Sequence, residues 1–390
     1  MRFLFTVYSL RFTVYSLQFT VYGLQFTVYG LQFTVYGLRF TVYGLQFTVY
    51  GLRFTVYGLR FTVYRIRLIL NIIKYLFEIE KKPRKGLLAA EWVVMGYLLL
   101  TTLMVIFTFT KTVNPEAMLW GRFRIVLLTL AMWIVYRLIP CRFTVLCRIL
   151  VQMLLLPWWY PDTFDLNRIL PNLDHYFAAY EQWMFGCQPA LLFSQAISHP
   201  VFSELMHLGY ASYFPLIALV SLYYFFFRYK EFNRTVFIIL TAFFVYYVIF
   251  IFLPVTGPQY YYGAIGMDQV AQGVFPNVHD YFNHSMERMT SPGYANGIFY
   301  QMVEDAHNAG ERPTAAFPSS HVGITTVLLF LAWHSKSKRL FFILLPFFIL
   351  MFFATVYIQA HYAIDAIAGL ITGALLYYLL LAGTSFAERE

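Results

Sequence analysis

Charged residues are what this chain has least of. Asp, Glu, Lys and Arg make up only 12% of its 390 residues, against roughly 25% in a soluble domain. That scarcity excludes an ordinary water-soluble fold. Three cysteines, Cys141, Cys147 and Cys187, are too few and too irregularly spaced for a disulfide framework or a zinc knuckle, and read as structural. A net charge of +9 looks like a nucleic-acid signal, but five of its arginines (Arg2, Arg11, Arg39, Arg53, Arg60) lie in the first 64 residues, which hold no lysine and no acid. What remains is ordinary for basic cytoplasmic loops, so no nucleic-acid partner is expected. The first apolar span has no small-residue cleavage pattern behind it, so no cleavable signal peptide is expected.

Apolar and aromatic residues fill the space left by charge. The chain is 60% hydrophobic and 21% aromatic, the composition of a polytopic membrane protein. Its N-terminus is a repeat: Phe-Thr-Val-Tyr recurs nine times with a period of seven, from Phe5 to Tyr64. Apolar residues all round and a glycine in most repeats rule out a coiled coil. Near-identity between repeats points to tandem DNA read in frame, with a native start near Ile66. Residues 1–65 are therefore expected to be low-complexity sequence without native structure or function. An interfacial amphipathic helix (66–80) and a basic cluster (Lys81, Lys82, Arg84, Lys85) complete a segment ending at 86, before a transmembrane domain over 87–382 and a cytoplasmic tail over 383–390.

A hydrocarbon core of roughly 30 Å needs about 20 apolar helical residues. Eight candidate spans follow: 87–109, 125–139, 143–159, 208–227, 235–253, 315–333, 340–358 and 362–381. The second and third are short and carry Arg137 and Arg148, which snorkelling would accommodate. The expected fold is an all-α integral membrane protein, a polytopic helical bundle of about eight spans. Basic residues crowd at 81–85, at Arg228, Lys230 and Arg234, and at Lys336, Lys338 and Arg339, whereas 161–207 and 255–314 carry more acids than bases. The positive-inside rule then places both termini inside and the two long segments outside, with short interfacial helices roofing a pocket.

Two signatures open strongly apolar stretches on that outer side: Phe317-Pro318-Ser319-Ser320-His321 and His361-Tyr362-Ala363-Ile364-Asp365. On one continuous helix, His361 and Asp365 share a face, so the carboxylate is expected to accept the imidazole Nδ1–H and leave Nε2 for substrate. A neutral imidazole so held is a nucleophile towards phosphorus. His321 would serve as general acid and base. Ser319 and Ser320, at a helix N-terminus, and Arg312, with its planar fork, are expected to hold the phosphate. Pro258 and Tyr260 join the expected substrate-binding set, although an aromatic belt is the plainer account of Tyr260. The histidines at 175, 199, 207, 279, 284, 307 and 334 have no mechanistic case. Two histidines and a carboxylate also resemble a facial triad, leaving a metal-centre enzyme open; no metal or other cofactor is expected.

These motifs resemble the type-2 phosphatidic acid phosphatase superfamily, with its Pro-Ser-x-His and His-x-x-x-Asp pair. The likeness covers about 87–381. It is strongest from Pro254 to Gly369, through Leu253-Pro254-Val255-Thr256-Gly257-Pro258, Arg312-Pro313-Thr314-Ala315-Ala316 and Ala354-Thr355-Val356-Tyr357. Leu173-Asp174-His175-Tyr176 and Gly209-Tyr210 add to a similarity to its inositol phosphorylceramide synthase branch, bacterial relatives included. The resemblance implies a six-helix catalytic core, His361 as nucleophile, Asp365 as its partner and His321 as acid and base. Two departures stand out. Ala354 and Thr355 occupy the place of the phosphatases' Ser-Arg, and Asp305 that of a lysine.

A phosphomonoester carries nearly two charges and a diester one, so a cation-poor site suits a diester donor. The expected activity is headgroup transfer: phosphatidylinositol plus ceramide gives inositol phosphorylceramide plus diacylglycerol. A lipid phosphate phosphatase and a non-enzymatic lipid transporter are the alternatives. The partners expected are membrane lipids, a phospholipid donor and a sphingolipid or other acceptor, with the oligomeric state unassigned. The location expected is an inner membrane, if the chain is bacterial, with the site facing outward.

Overall fold

A computed structural model describes residues 70–387; the heptad array at 1–65 lies outside them. Two units are distinguished, whose described residues are 70–80 with 141–143 and 81–140 with 144–387. In the first, residues 70–76 are helical and 77–80 are not, so the helix expected over 66–80 ends early, while 66–69 lie outside the described residues. The chain straightens where Ile79 bridges Cys141, and Arg142 pairs with Glu78 at 2.9 Å while covering the Tyr75 ring at 4.1 Å.

The remaining helices are, in chain order, α1 (Ala89–Phe107), α2 (Pro115–Leu138), α3 (Arg142–Leu154), α4 (Leu156–Asn167), α5 (Asp174–Phe185), α6 (Pro189–Ala196), α7 (Pro200–Ala211), α8 (Tyr213–Phe227), α9 (Tyr229–Phe252), α10 (Pro258–Ile265), α11 (Met267–Ala271), α12 (Ile298–Gly310), α13 (Ser320–His334), α14 (Lys338–Tyr357) and α15 (Ala363–Ala387). No strand occurs among the described residues. The protein is an all-α helical bundle with, among the described residues, six helices long and apolar enough to cross a membrane: α1, α2, α3–α4 taken together, α9, α14 and α15. The pair α7–α8, bent by 49°, makes a seventh. The remaining expected span, 315–333, corresponds to the shorter α13, of 15 residues. Short helices α5, α6 and α10–α12 fill the two long segments, as the sequence led us to expect.

Local chemistry sets these boundaries. Residues 315–319 do not join α13, because Pro318 disfavours helix at the residue before it and Ser319 caps the helix by accepting from the Val322 N–H at 3.5 Å. The α7–α8 bend falls at Ser212, whose hydroxyl donates to the Gly209 carbonyl at 2.6 Å. Pro215 then lacks the N–H that would continue the ladder. Small residues let α13 and α15 approach closely: a Cβ on Gly373 would sit 2.4 Å from the Gly323 carbonyl, and one on Gly369 2.4 Å from that of Ser319. This crossing carries His321 and His361 to the same end of the bundle.

Two ion pairs are buried between spans. Arg122 meets Asp162 through both guanidinium nitrogens, at 2.7 and 3.2 Å. Arg148 meets Glu91 at 2.7 and 2.5 Å, both side chains wholly buried. Snorkelling was expected to rescue Arg148; instead a carboxylate from another helix neutralises it, the cheaper solution for a charge that cannot reach water. Arg137, at the end of α2, is exposed. Removing one partner leaves the other charge stranded. Glu91→Leu should therefore cost about 3–5 kcal/mol, and the double variant Glu91→Leu/Arg148→Met should recover most of it. Unfolding in detergent measures both, and equal losses would contradict this account.

Candidate active site

A cavity of about 890 Å³ opens between α2, α4, the α7–α8 bend, α9 and the segment leading from α12 into α13. His321, His361 and Ser320 line it. His361 sits in the connection between α14 and α15, where its N–H donates to the Thr355 carbonyl at 3.0 Å. Its Nδ1 lies 2.8 Å from the Ala316 carbonyl oxygen. A carbonyl only accepts, so Nδ1 carries the proton and Nε2 keeps its lone pair.

The expected Asp365 partner needs correction. Its Oδ2 is 3.6 Å from His361 Nδ1 and instead accepts the Tyr362 N–H at 2.8 Å. The four-residue spacing presumed one helix through both residues. Because α15 starts at Ala363, His361 lies outside it and its ring turns to Ala316. Asp365 supports the site in other ways: its carbonyl accepts the Ser319 N–H at 3.0 Å, tying α15 to the cap of α13. Its Oδ1 has no hydrogen-bond partner.

His321 occupies the first turn of α13, with its ring 5.7 Å from that of His361. Tyr210 and Tyr213 flank it at 4.4 and 4.3 Å. One comes from each side of the α7–α8 bend, so the kink is what lets two tyrosines hold one imidazole. His321 Nδ1 has no hydrogen-bond partner.

Two further acids bind the residues that follow His361. Asp174 is fully buried and accepts from the Thr256 N–H (2.7 Å) and hydroxyl (2.9 Å), the Gly257 N–H (2.9 Å), Asn172 (2.6 Å) and the Tyr362 hydroxyl (3.0 Å). Burial raises its pKa, opposed by those donors. Glu181 is also fully buried, and its Oε2 accepts the Ile364 N–H at 3.3 Å. Burial, then the nearby Asp365 carboxylate, push Glu181 up to about 8.

Several expected substrate-binding residues stand apart from the cavity wall. Ser319 is wholly buried and spends its hydroxyl on the helix cap. Arg312 is part-buried, and its Nη1 donates to the Glu311 carbonyl at 3.3 Å. Pro258 opens α10, and buried Tyr260 faces Phe282. None of these four lines the cavity. Thr355, at the position of the phosphatases' arginine, is buried with its hydroxyl on the Phe352 carbonyl at 3.0 Å.

Sequence reasoning missed His307 and Glu311, which do line the cavity. Their spacing of four matches that of His361 and Asp365 and was the available signal. Asp162 and Asp165 add two more carboxylates to the wall, and among the described residues no lysine or arginine lines it. Nor do three His, Cys, Asp or Glu side chains gather into a metal site among those residues.

Residues 175–379, more than half of the chain, match the family model described as PAP2 superfamily. No curated protein and no solved structure matches.

The His361 environment yields a pH prediction. Burial drives its imidazole down to about 4, against the Ala316 carbonyl and Glu311, which favour the charged form. A lowered pKa keeps the ring neutral above that value and protonates it only below. If Nε2 must be unprotonated to react, kcat/KM should hold as pH falls through 6.5 and drop near 4. An acid limb at the ordinary imidazole value would contradict this.

Proposed function

The chain belongs to the PAP2 superfamily, and on that premise we propose that it transfers a phosphoryl headgroup between membrane lipids. Membership alone suggests a lipid phosphatase or phosphotransferase in a membrane. The finer reading is inositol phosphorylceramide synthase-like: phosphatidylinositol and ceramide become inositol phosphorylceramide and diacylglycerol. One observation carries it. The cavity that presents His361 Nε2 has no arginine or lysine on its wall among the described residues. A dianionic phosphomonoester would meet the carboxylates of Asp165 and Glu311 there, beside an Asp162 already paired with Arg122, and no cation on the wall itself. A diester brings a single charge and fits better.

The reaction runs in two displacements. His361 Nε2 attacks phosphorus, forming a P–N bond as the P–O bond to diacylglycerol breaks. His321 donates the proton that the departing alkoxide takes up. Ceramide then occupies the vacated place. Its hydroxyl loses a proton to His321, its oxygen bonds to phosphorus, and the P–N bond breaks. The headgroup stays on phosphorus throughout. The Ala316 carbonyl holds the attacking ring in the required tautomer, and Tyr210 and Tyr213 fix His321 across from it. Ser320, on the wall, supplies a hydroxyl donor for a non-bridging oxygen. Lipids are the partners in this scheme, and the charge bias of the loops supports a site on the outer face of the membrane, an inner membrane if the source is bacterial.

Purified protein in mixed micelles, given labelled phosphatidylinositol and ceramide, tests the proposal. A labelled phosphosphingolipid should appear together with diacylglycerol, and His361→Ala should lower the rate by at least about 10³-fold. Release of soluble inositol phosphate or inorganic phosphate in place of a new lipid would make the protein a hydrolase and reject transfer. Headgroup exchange that survives His361→Ala would remove the proposed chemistry.

A further inference from the structure

His307 and Glu311 face the same cavity as the two reacting imidazoles, yet the two displacements give them no part. The His307 side chain is 4% exposed and that of Glu311 14%. His307 Nε2 lies 3.2 Å from Glu311 Oε2, and its Nδ1 3.8 Å from Glu304 Oε1. Neither contact has hydrogen-bond geometry, and both ring nitrogens and Glu311 Oε2 are buried without a hydrogen-bond partner. The structure around them is built to hold them. Arg288 clamps Glu304 at 2.8 and 3.2 Å, Gln259 reaches Glu311 Oε1 at 3.4 Å, and the His307 ring stands edge-on to Tyr210, which itself stacks on His321. Buried polar atoms left unpaired in a cavity wall are costly unless a ligand satisfies them.

We infer that the His307–Glu311 pair reads the headgroup of the donor lipid, and that this headgroup is a polyol. The inference rests on the transfer reaction proposed above, in which the headgroup remains on phosphorus and needs a wall separate from the one facing the departing oxygen. The choice of a polyol follows from donor and acceptor chemistry. A carboxylate beside a phosphodiester is repelled unless it accepts hydrogen bonds. A neutral imidazole offers one donor and one acceptor. Neighbouring hydroxyls supply both kinds of partner, whereas an ammonium headgroup supplies donors only and leaves the imidazole N–H unmet. A bare phosphate supplies acceptors only and adds charge.

The test compares donors against a common ceramide acceptor: phosphatidylinositol, phosphatidylethanolamine and phosphatidic acid, each in the same micelles with the full-length protein. Wild type should favour phosphatidylinositol. Glu311→Gln and His307→Phe should raise its KM by about tenfold or more, with kcat little changed, the size expected for losing a hydrogen bond to a buried polar group. The preference over phosphatidylethanolamine should shrink by the same factor. His307→Gln, which keeps a donor and an acceptor, should retain much of it, an outcome a merely structural role would not give. An unchanged donor ratio in both damaging variants would overturn the inference, as would an equal loss for all donors. A wild-type protein that hydrolyses phosphatidic acid and transfers neither diester would overturn the transfer reaction itself, a result visible before any variant is made.

Discussion

The 2.8 Å contact from His361 Nδ1 to the Ala316 carbonyl decides which ring nitrogen meets the cavity, and a long relay keeps that carbonyl in place. The Ala316 N–H donates to the Val255 carbonyl at 2.9 Å. The next two residues, Thr256 and Gly257, are bound to Asp174, which also holds the hydroxyl of Tyr362, the neighbour of His361. Gly257 has φ +91, and a Cβ there would sit 2.5 Å from the Ala360 carbonyl. Only glycine accommodates both the conformation and the approach. One buried carboxylate thus fixes both strips of backbone that meet at the imidazole. Its cost of burial is offset by five donors.

Scarcity of cations is the second constraint. Arginines are present in the bundle, but Arg122 and Arg148 are committed to buried carboxylates, and Arg288 to Glu304. Arg312 turns to a backbone carbonyl. The polar groups that face the cavity are imidazoles, tyrosines, hydroxyls and carboxylates, set among apolar residues such as Met118, Phe214 and Phe243. Such a wall discriminates by hydrogen bonding more than by charge, which suits the choice among lipid diesters better than the capture of a phosphomonoester.

Much of this was legible in the sequence. Long apolar stretches gave the bundle, and Pro318-Ser319-Ser320-His321 with His361 and Asp365 gave the meeting of two histidines, because each motif opens an apolar stretch at the same face. The misses share a cause, since each depends on who touches whom across the fold. Arg148 and Glu91 are 57 residues apart, and no periodicity pairs them. The Ala316 contact is a backbone one, invisible to a search for side-chain motifs. Ser319 reads equally well as a phosphate donor and as a helix cap, and geometry alone assigns it to the cap. His307 and Glu311 lay outside the long apolar stretches read as spans, so their spacing carried little weight until α12 was seen to end against the cavity.

The central claim is that His361 Nε2 forms a bond to phosphorus. Incubating the protein with labelled donor lipid in the absence of acceptor, quenching in alkali and sequencing the labelled peptide by mass spectrometry examines it directly. A headgroup phosphoryl adduct on His361, discharged when ceramide is added before the quench, is the predicted result. Label on another residue, or full turnover with no covalent species at any time point, would contradict the account.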